Sequence, residues 1–379
     1  MQRNTLRLIR ELQTLNHANL HHLQITLVLA QAQGECLPDV PSGVNLIDLG
    51  IAYGFRAKTL GKLLIPLKNC LQQQQPTVIL SRLPCFNFLA VLAWQWAGKP
   101  GRIILGEHTL PLGRLMATEG KKPGLVGTLS QSLAQWLYPQ ADGVVAASTG
   151  IARELQKTLG LDPDRLQVIY NPVVNEALKI QAQQPLDHPW FQPGEPPVFL
   201  AVGRLAAQKD YGTLIRAFAQ VQPHYPSRLL ILGEGSDRPL LTALIQSLAL
   251  ENVVSLPGFT ANPYAYMTHA QALVLSSTWE ILPTVLIEAL ACGCPVIATR
   301  CDYGPQEILS SGEYGWLVAV GDVAALAQAM IEVLQTKNGG SSGLALGAAL
   351  NPQVLQRRAE DFSMARSTQA YSNILGLMP

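Results

Sequence analysis

The sequence predicts an α/β protein built from two doubly wound parallel sheets. Short apolar, β-branched runs alternate with longer helical patterns along the 379 residues, and the runs are almost continuously apolar. Strands of that kind are typical of parallel sheets that helices cover on both faces. The chain is also longer than one ordinary hydrophobic core requires, so we expect two domains.

Twelve runs are predicted to be strands, six in each half of the chain. Those of the first half are Gln24–Ala30, Val44–Leu49, Thr77–Leu80, Arg102–Leu105, Gly143–Ala147 and Leu166–Ile169. Those of the second half are Val198–Val202, Leu229–Leu232, Val253–Leu256, Ala272–Leu275, Pro295–Ala298 and Gly315–Val318. Amphipathic stretches such as Lys58–Leu71 and Ser148–Leu159 are predicted to be helices. Open parallel sheets bind ligands beyond the carboxyl ends of their strands, so we expect functional residues there.

Proline and glycine predict the domain boundaries. Residues 171–197 are rich in proline, which disfavours regular structure and is typical of a connection between domains. We therefore expect an N-terminal domain over residues 1–170, a linker over 171–197 and a C-terminal domain over 198–350. Residues 338–343 are predicted to form a surface loop. The helical pattern of 351–379 is expected to cross back to the N-terminal domain.

Composition excludes several classes of protein. Hydrophobic residues make up 48% of the chain and charged residues 14%, which is a globular composition and not a disordered one. A formal net charge of +1 gives no reason to expect nucleic acid as a partner. The first half is basic and the second acidic. This division is expected if the N-terminal domain meets an acidic acceptor or, peripherally, an anionic membrane surface. The alternative is a chance imbalance spread over solvated faces.

The six cysteines and the apolar runs bear on location. No two cysteines form a CxxC pair, and several lie in apolar runs, so we expect reduced thiols. No apolar stretch has the length of a transmembrane helix, and the first residues do not resemble a secretory signal. We therefore expect a cytoplasmic protein, with at most peripheral contact at the inner face of the membrane.

The first candidate motif follows the strand Val198–Val202. Gly203 lets the backbone approach a ligand closely, and Arg204 and Lys209 place two cations at the same edge. A diphosphate leaving group needs such cations, because the charge that develops as a sugar departs must be neutralised. The alternative is a solvated arginine and lysine beside an ordinary turn.

The second candidate motif contains two glutamates separated by seven residues. Glu280 falls in the loop after the strand Ala272–Leu275, and Glu288 lies in the helix that follows. Thr284 stands near the start of that helix, where its hydroxyl and free backbone N–H groups are placed to meet phosphate oxygens. Glu288 has apolar neighbours, so it needs a polar partner such as a ribose diol. The alternative is a glutamate on the helix surface.

Together these motifs resemble the retaining glycosyltransferases of family four, which have the two-domain fold called GT-B. The matching segments are Gly203-Arg204-Leu205 with Lys209, Leu232-Gly233-Glu234-Gly235, Leu256-Pro257-Gly258-Phe259, Glu280 with Glu288, Ala291 to Thr299, and Gly304-Pro305-Gln306-Glu307-Ile308. Their order and spacing agree with the family over roughly residues 140–335. The resemblance implies two Rossmann-like domains that face a cleft.

The resemblance also implies a role for each position. Arg204 and Lys209 would hold the donor diphosphate, and Glu280 would contact the transferred sugar. The other donor-binding positions are Gly203 beside the phosphates, Phe259 with its backbone on the base, the loop Leu282, Pro283 and Thr284 on the phosphates, and Glu288 on the ribose.

The implied reaction moves a sugar from a nucleoside-diphosphate sugar to a glycan or a lipid-linked acceptor, with retention of configuration. Family members work without a metal, so no metal and no further cofactor are expected. UDP is the nucleotide that the resemblance favours. In the first half, Gly106-Glu107-His108-Thr109 resembles the family's acidic–histidine segment, which faces the acceptor. His108 is therefore a candidate to bond donor sugar or acceptor, or else a structural histidine satisfied by a carbonyl.

Two departures from the family pattern bear on activity. The family begins with a strand and a glycine-rich loop, whereas residues 1–10 resemble the helix that follows them. We therefore expect the first strand of the N-terminal domain to be missing, through a misassigned start or through loss of activity. Ile281 replaces the usual glycine and is expected to narrow the sugar pocket or to change which sugar fits it. The alternatives are a degenerate donor-binding protein without activity and a nucleotide-sugar epimerase of the same fold.

Overall fold

The computed structural model describes residues 2–19, 23–34, 36–52, 57–108, 125–337 and 347–377. The chain forms two compact units. Unit 1 comprises Met1–Pro172 with Met364–Pro379, and unit 2 comprises Val173–Ser363.

Helices and strands alternate in both units. The strands are β1 (Thr26–Leu29), β2 (Asn45–Asp48), β3 (Val78–Ser81), β4 (Arg102–Glu107), β5 (Gly143–Ala146), β6 (Leu166–Val168), β7 (Val198–Val202), β8 (Arg228–Leu232), β9 (Val254–Gly258), β10 (Ala272–Leu275), β11 (Val296–Thr299) and β12 (Trp316–Val318). The helices are α1 (Gln2–Asn19), α2 (Ala57–Gln74), α3 (Pro84–Trp96), α4 (Leu125–Leu137), α5 (Thr149–Leu159), α6 (Glu176–Ala182), α7 (Tyr211–Val221), α8 (Arg238–Ser247), α9 (Pro263–His269), α10 (Thr284–Ala291), α11 (Gly304–Ile308), α12 (Val323–Lys337), α13 (Gly347–Leu350), α14 (Pro352–Ala359) and α15 (Met364–Leu375).

All twelve predicted strands are confirmed, each within two residues at either end. The reason is local, since each run is apolar over its whole length and is bounded by polar or turn-forming residues. The four inner strands of unit 2 are almost entirely buried, as a sheet covered on both faces requires, whereas the edge strands β9 and β12 are partly exposed.

Unit 2 contains one six-stranded parallel sheet. Its strand order is β12-β11-β10-β7-β8-β9, and every pair is parallel. The carboxyl ends of all six strands therefore lie at one edge of the sheet. The order reverses between β7 and β10, and such a switch point is where open α/β sheets bind ligands. Helices α7 and α12 pack against each other over the core of this unit.

Unit 1 contains two parallel sheets. β1 pairs with β2, and the second sheet has the order β3-β4-β5-β6. The prediction of one open sheet in the first half is therefore wrong for the part of unit 1 that the structure describes, because β1 pairs only with β2. The first described element is α1, which precedes β1. Helices α1 and α15 pack together and share a hydrophobic cluster with β4 and β5.

The predicted linker of residues 171–197 is wrong in part, because it contains helix α6 and belongs mostly to unit 2. Asn175 begins α6, since its Oδ1 accepts from the backbone N–H of Leu178 at 2.9 Å. The prolines follow from Pro185 onward, beyond the end of the helix, so they do not interrupt it.

The helical pattern after residue 350 is interrupted at Glu360–Ser363. Helix α14 stays with unit 2 and packs against α10, whereas α15 belongs to unit 1. Arg358 fastens α14, because its guanidinium donates to the carbonyls of Glu307 at 2.8 Å and of Ile308 at 3.0 Å. The predicted loop at residues 338–343 lies outside the described residues. Within the described ranges, no helix has the length and apolarity needed to span a bilayer.

Candidate functional site

The predicted donor-side residues of unit 2 lie at the carboxyl edge of its sheet. Gly203 and Arg204 follow β7, Phe259 follows β9, and Glu280 lies in the loop after β10. Strands β10, β7, β8 and β9 are consecutive in the sheet, so the loops that follow them are neighbours. The sheet therefore brings together residues that are up to 77 positions apart in the chain.

Lys209 and Glu280 form an ion pair at this edge. Lys209 Nζ donates to Glu280 Oε1 at 2.5 Å, and Ser277 Oγ donates to the same oxygen at 2.7 Å. Only 17% of the lysine side chain and 9% of the glutamate side chain are exposed. Sequence reasoning missed Ser277. Its position just after a buried strand was a signal that could have found it.

Further hydrogen bonds fix the loop of Lys209 to the loop of Glu280. Ser276 Oγ donates to the carbonyl of Lys209 at 2.7 Å, and Gln208 Nε2 donates to the carbonyl of Trp279 at 2.9 Å. The backbone N–H of Thr278 donates to the carbonyl of Gln208 at 2.8 Å. Hydrogen bonds to backbone carbonyls of both loops thus fix the position of the ion pair.

Glycine is required where β7 ends. A Cβ on Gly203 would lie 2.8 Å from the Tyr211 hydroxyl and 3.2 Å from Lys209 Cε. In the next loop, Gly233 has φ of +141°, and a Cβ there would overlap the carbonyl of Gly203. The two loops therefore approach backbone to backbone, as close contact with a ligand needs. Burial and the charge of Glu280 raise the pKa of Tyr211, so its hydroxyl stays protonated.

Arg204 and Phe259 are exposed at the same edge. Arg204 forms no ion pair with any residue in the described ranges, so its guanidinium is free to meet an anion. Phe259 is 82% exposed. Next to it, Gly258 has φ of +100°, and a Cβ there would lie 2.8 Å from Glu234 Oε1. Glu234 is itself paired with Arg238 at 2.7 Å, a contact that sequence reasoning did not find.

The segment after Glu280 leads into α10. Leu282 and Pro283 are buried, whereas Thr284, the first residue of α10, is half-buried. Glu288 is half-buried one turn later, so it is neither a core residue nor a fully solvated one. Ile281 places its carbonyl against Gly304, where a Cβ would be 2.8 Å away. The expected narrowing of a sugar pocket by Ile281 stays a prediction.

His108 lies in unit 1, directly after β4, and is 8% exposed. Its Nε2 accepts a hydrogen bond from Arg82 Nε at 3.1 Å, so the proton of the neutral ring is on Nδ1. Burial, followed by the nearby charge of Arg82, lowers the pKa of His108 to about 3. Nε2 thus faces a guanidinium, and the side chain of Asn171 is the hydrogen-bond partner on the other side of the ring, with a smaller, opposite effect on the pKa of His108.

Glu107, the neighbour of His108, points into the core of unit 1. The Tyr138 hydroxyl donates to its Oε1, and Asn87 Nδ2 donates to the same oxygen at 3.0 Å. Burial raises the pKa of Glu107 to about 7, against the smaller opposing effect of these two hydrogen bonds. The Glu107 carboxylate is therefore bonded within unit 1, and the expectation that the segment of residues 106–109 faces the acceptor stays a prediction. Thr109 lies outside the described residues.

No group of three or more His, Cys, Asp or Glu residues that could hold a metal ion occurs in the described part of the chain. Asp162 and Asp164 have the Asp-x-Asp spacing of some metal sites. In the structure, however, Asp162 Oδ1 accepts from the backbone N–H of Asp164 at 3.0 Å and caps an exposed turn of unit 1.

Known sequences match both halves of the chain. The model for Glycosyltransferase Family 4 matches residues 1–176, and the model for Glycosyl transferases group 1 matches residues 183–341. The chain is 31% identical over 249 residues to the N-acetylgalactosamine-N,N'-diacetylbacillosaminyl-diphospho-undecaprenol 4-alpha-N-acetylgalactosaminyltransferase of Campylobacter jejuni, covering 66% of this chain and 64% of the relative. It is 29% identical over 187 residues to the lipopolysaccharide core biosynthesis glycosyltransferase LpsE of Rhizobium meliloti, covering 49% and 52%. The matches thus span between half and two thirds of these relatives' length.

Solved structures share the fold over nearly the whole chain. A glycosyltransferase from Rickettsia africae superposes with a TM-score of 0.78 at 17% identity and covers 99% of this chain and 93% of its own. HepE from Anabaena in complex with UDP-glucose superposes with a TM-score of 0.71 at 18% identity and covers 100% and 96%. With two parallel-sheet α/β units and both family models matched, the chain has the GT-B fold and belongs to the group 1 glycosyltransferases of family 4.

Proposed function

We propose that this protein transfers a sugar from a nucleoside-diphosphate sugar, with UDP as the nucleotide, to a glycan or a lipid-linked acceptor. The observation that carries the proposal is the carboxyl edge of unit 2. There, an exposed Arg204, which forms no ion pair within the described ranges, lies at the same edge as the buried Lys209–Glu280 pair. At this edge, positive charge is available for the diphosphate and a carboxylate is available for the sugar.

The two cations would stabilise the leaving diphosphate. As the bond between the anomeric carbon and the diphosphate breaks, negative charge grows on the phosphate oxygens, and Arg204 and Lys209 would neutralise it. Because side chains supply this charge, the proposal includes neither a metal ion nor a further cofactor. Glu280, held by Ser277, would accept hydrogen bonds from sugar hydroxyls.

The remaining positions would hold the nucleotide. The half-buried Glu288 would bind the ribose, and the Thr284 hydroxyl would contact a phosphate oxygen. Leu282 and Pro283 would fix that loop through their burial, and Gly203 would let the phosphates come close. The backbone beside Phe259 would bond the base.

Retention is proposed to follow from attack on the face that the diphosphate leaves. The acceptor oxygen forms its bond to the anomeric carbon on that face, and its proton passes to an oxygen of the departing phosphate. Glu280 stays paired with Lys209 and is not used as a nucleophile. His108 is proposed to serve the acceptor side through Nδ1, since Nε2 is already occupied by Arg82.

The comparisons support the choice of donor and acceptor. Solved structures of HepE from Anabaena contain UDP and UDP-glucose, which favours UDP here. The Campylobacter relative is named for a diphospho-undecaprenol acceptor and the Rhizobium relative for the lipopolysaccharide core. A lipid-linked or glycolipid acceptor fits both names, and a cytoplasmic location at the inner face of the membrane fits such an acceptor.

Thermal unfolding with UDP, GDP, ADP and no nucleotide tests the donor site. A ligand that binds only the native state adds about 2.7 kcal/mol of stability at a hundred times its Kd, so the midpoint should rise with UDP concentration. Arg204→Ala should abolish the rise. Arg216→Ala is the matched control, because Arg216 is an exposed arginine on α7 of the same unit.

Turnover with a UDP-sugar and a lipid-linked acceptor then tests the transfer itself. Retention requires that the anomeric configuration of the product, read by NMR, equal that of the donor. A thermal unfolding midpoint that does not rise with any of the three nucleotides would contradict the donor site. Nucleotide binding without any product would favour the degenerate donor-binding protein instead.

We also propose peripheral contact of unit 1 with an anionic membrane. Helices α2 and α3 pack together and expose Ile65 and Trp96 to more than half of their area. Lys68 Nζ lies 5.9 Å from the Trp96 ring, so a cation and an indole share this face. Tryptophan and lysine side by side are typical of surfaces that meet lipid headgroups.

Co-sedimentation with vesicles of anionic lipid tests this contact. Binding should occur at low salt, weaken at high salt through screening, and fall in Trp96→Ala. Leu240→Ala is the control, because Leu240 is an exposed apolar residue of unit 2. If the wild-type protein, Trp96→Ala and Leu240→Ala bound the vesicles equally, the assignment of the membrane contact to the face of α2 and α3 would be contradicted.

A further inference from the structure

Arg82 is a buried cation that the proposed transfer does not use. It directly follows β3, and it is 8% exposed. No described carboxylate lies within ion-pair distance of its guanidinium. A buried charge without a counter-charge among the described residues is costly, so this site calls for an anion.

Every described partner of Arg82 is neutral. Its Nε donates to the neutral ring of His108 at 3.1 Å, and its Nη1 donates to Thr5 Oγ1 at 3.3 Å. Its Cζ lies 5.4 Å from the centre of the Tyr371 ring, which provides a π face and no negative charge. Glu107 is turned away into the core, where Tyr138 and Asn87 bond it.

His108 presents an N–H to the same region. Its Nε2 is the acceptor for Arg82, so Nδ1 carries the proton. The buried Nδ1 has the Asn171 side chain as a loosely placed hydrogen-bond partner, which raises the pKa of His108 against the larger effect of burial. The ring is thus a fixed, neutral donor.

Helix α15 adds three hydroxyls. Thr368, Tyr371 and Ser372 are spaced at i, i+3 and i+4, so they share one face of the helix. All three are almost fully buried, and the hydroxyls of Thr368 and Ser372 hydrogen-bond no described residue. The Tyr371 hydroxyl has only the Arg82 side chain as a loosely placed partner. Buried polar groups in native proteins are nearly always satisfied, so this face is built for a polar occupant.

We infer that these residues, the Arg82 cluster (Arg82, His108, Thr368, Tyr371 and Ser372), bind a phosphate group. A guanidinium fork, an imidazole N–H and hydroxyls are all hydrogen-bond donors, and a tetrahedral phosphate supplies several acceptor oxygens to match them. That the phosphate belongs to the acceptor rests on the proposed function. The binding itself does not.

Isothermal titration calorimetry with inorganic pyrophosphate tests the site on the full chain. Wild-type protein should bind at two sites, one at the Arg82 cluster and one at the edge of Arg204. Arg82→Gln and Arg204→Ala should each leave one site, and the double variant none. If Arg204→Ala abolished all pyrophosphate binding and Arg82→Gln changed none, the donor site would be supported and the Arg82 cluster overturned. If Arg82→Gln abolished all binding and Arg204→Ala changed none, the Arg82 cluster would be supported and the donor site overturned.

Two milder variants keep the test valid if Arg82→Gln unfolds. Arg82→Lys keeps the charge but not the fork, and Tyr371→Phe removes one hydroxyl at constant shape. Both should weaken the unit 1 site by about threefold to tenfold, whereas Arg82→Gln should weaken it by more than about tenfold. Arg165→Gln, an exposed arginine of unit 1, is the matched control. Unchanged affinity in Arg82→Lys and Tyr371→Phe would overturn the inference.

Farnesyl diphosphate, titrated in parallel, distinguishes the source of the phosphate. Tighter binding of farnesyl diphosphate than of pyrophosphate, lost in Arg82→Gln, would assign the site to a lipid-linked acceptor. Equal affinity for farnesyl diphosphate and for pyrophosphate, with both lost in Arg82→Gln, would assign the site to a phosphate without a lipid. Binding of either compound that is insensitive to Arg82→Gln would overturn the site.

Discussion

Lys209 Nζ and Glu280 Oε1 lie 2.5 Å apart at the carboxyl edge of unit 2, although 71 positions separate the two residues. Both side chains are mostly buried, and backbone hydrogen bonds hold their loops together. The cation proposed to bind phosphate and the carboxylate proposed to bind the sugar are thus held at a fixed spacing by the protein itself.

Substitutions in the Lys209–Glu280 pair should affect the free energy of unfolding and the turnover rate differently. Lys209→Met leaves a buried carboxylate without its cation and should cost about 3 kcal/mol of unfolding free energy. The double variant Lys209→Met, Glu280→Gln removes both charges and should recover part of that loss. Turnover should fall by about a hundredfold or more in both, because the charge on the leaving group is no longer neutralised. Urea unfolding and initial rates measure the two effects. A double variant no more stable than Lys209→Met would contradict the pairing energy.

Gly203→Ala should disturb the site through Tyr211. The new Cβ would lie 2.8 Å from the Tyr211 hydroxyl, so we expect a loss of about 1–3 kcal/mol in stability and weaker UDP binding. Adding Tyr211→Phe removes the nearest atom and should restore part of the loss. Gly61→Ala is the control, since it lies in α2 with nothing within 4 Å and should gain up to about 1 kcal/mol. No rescue by Tyr211→Phe would mean that Lys209 Cε, at 3.2 Å, is the obstacle.

Glu107 should make stability depend on pH. Its folded pKa is about 7, above the ordinary value of 4.5, so the native state holds a proton that the unfolded chain releases. The stabilisation is complete below pH 4.5 and is lost as the pH rises through 7, by about 3 kcal/mol in total. Chemical unfolding across this range should show the fall in wild-type protein and a flatter profile in Glu107→Gln. Tyr138→Phe removes a bond that lowers this pKa and should move the fall to higher pH. A Glu107→Gln profile as steep as wild type would refute the assignment.

Phe259→Ala should leave both stability and nucleotide binding nearly intact. The side chain is 82% exposed, so its loss should change the unfolding free energy by no more than about 0.5 kcal/mol. The base is proposed to bond the backbone here, so the UDP-dependent rise in midpoint should persist. Gly258→Ala provides the contrast, because its φ of +100° and the nearby Glu234 carboxylate oppose a side chain. Loss of the UDP effect in Phe259→Ala would show that the ring stacks on the base.

Much of the fold was predictable because its determinants are local. An apolar run such as Val198–Val202 can be identified without knowing its neighbours in the sheet, and the strand ends then locate Gly203 and Arg204. The helix α6 was not predicted, because the prolines that follow it dominate the composition of residues 171–197. The split between the two sheets of unit 1 depends on which strands pair, and strand pairing has no local pattern.

The sequence by itself determined the alternation of strands and helices, the family, and the residue types at the carboxyl ends of the strands. Only the tertiary structure decided which of these residues meet. It paired Lys209 with Glu280, turned Glu107 into the core, and set Arg82 against His108 and Tyr371. The physical reason is that secondary structure follows from the period of apolar residues along the chain. Which charged side chains come within contact distance depends instead on the order of the strands and the packing of the helices.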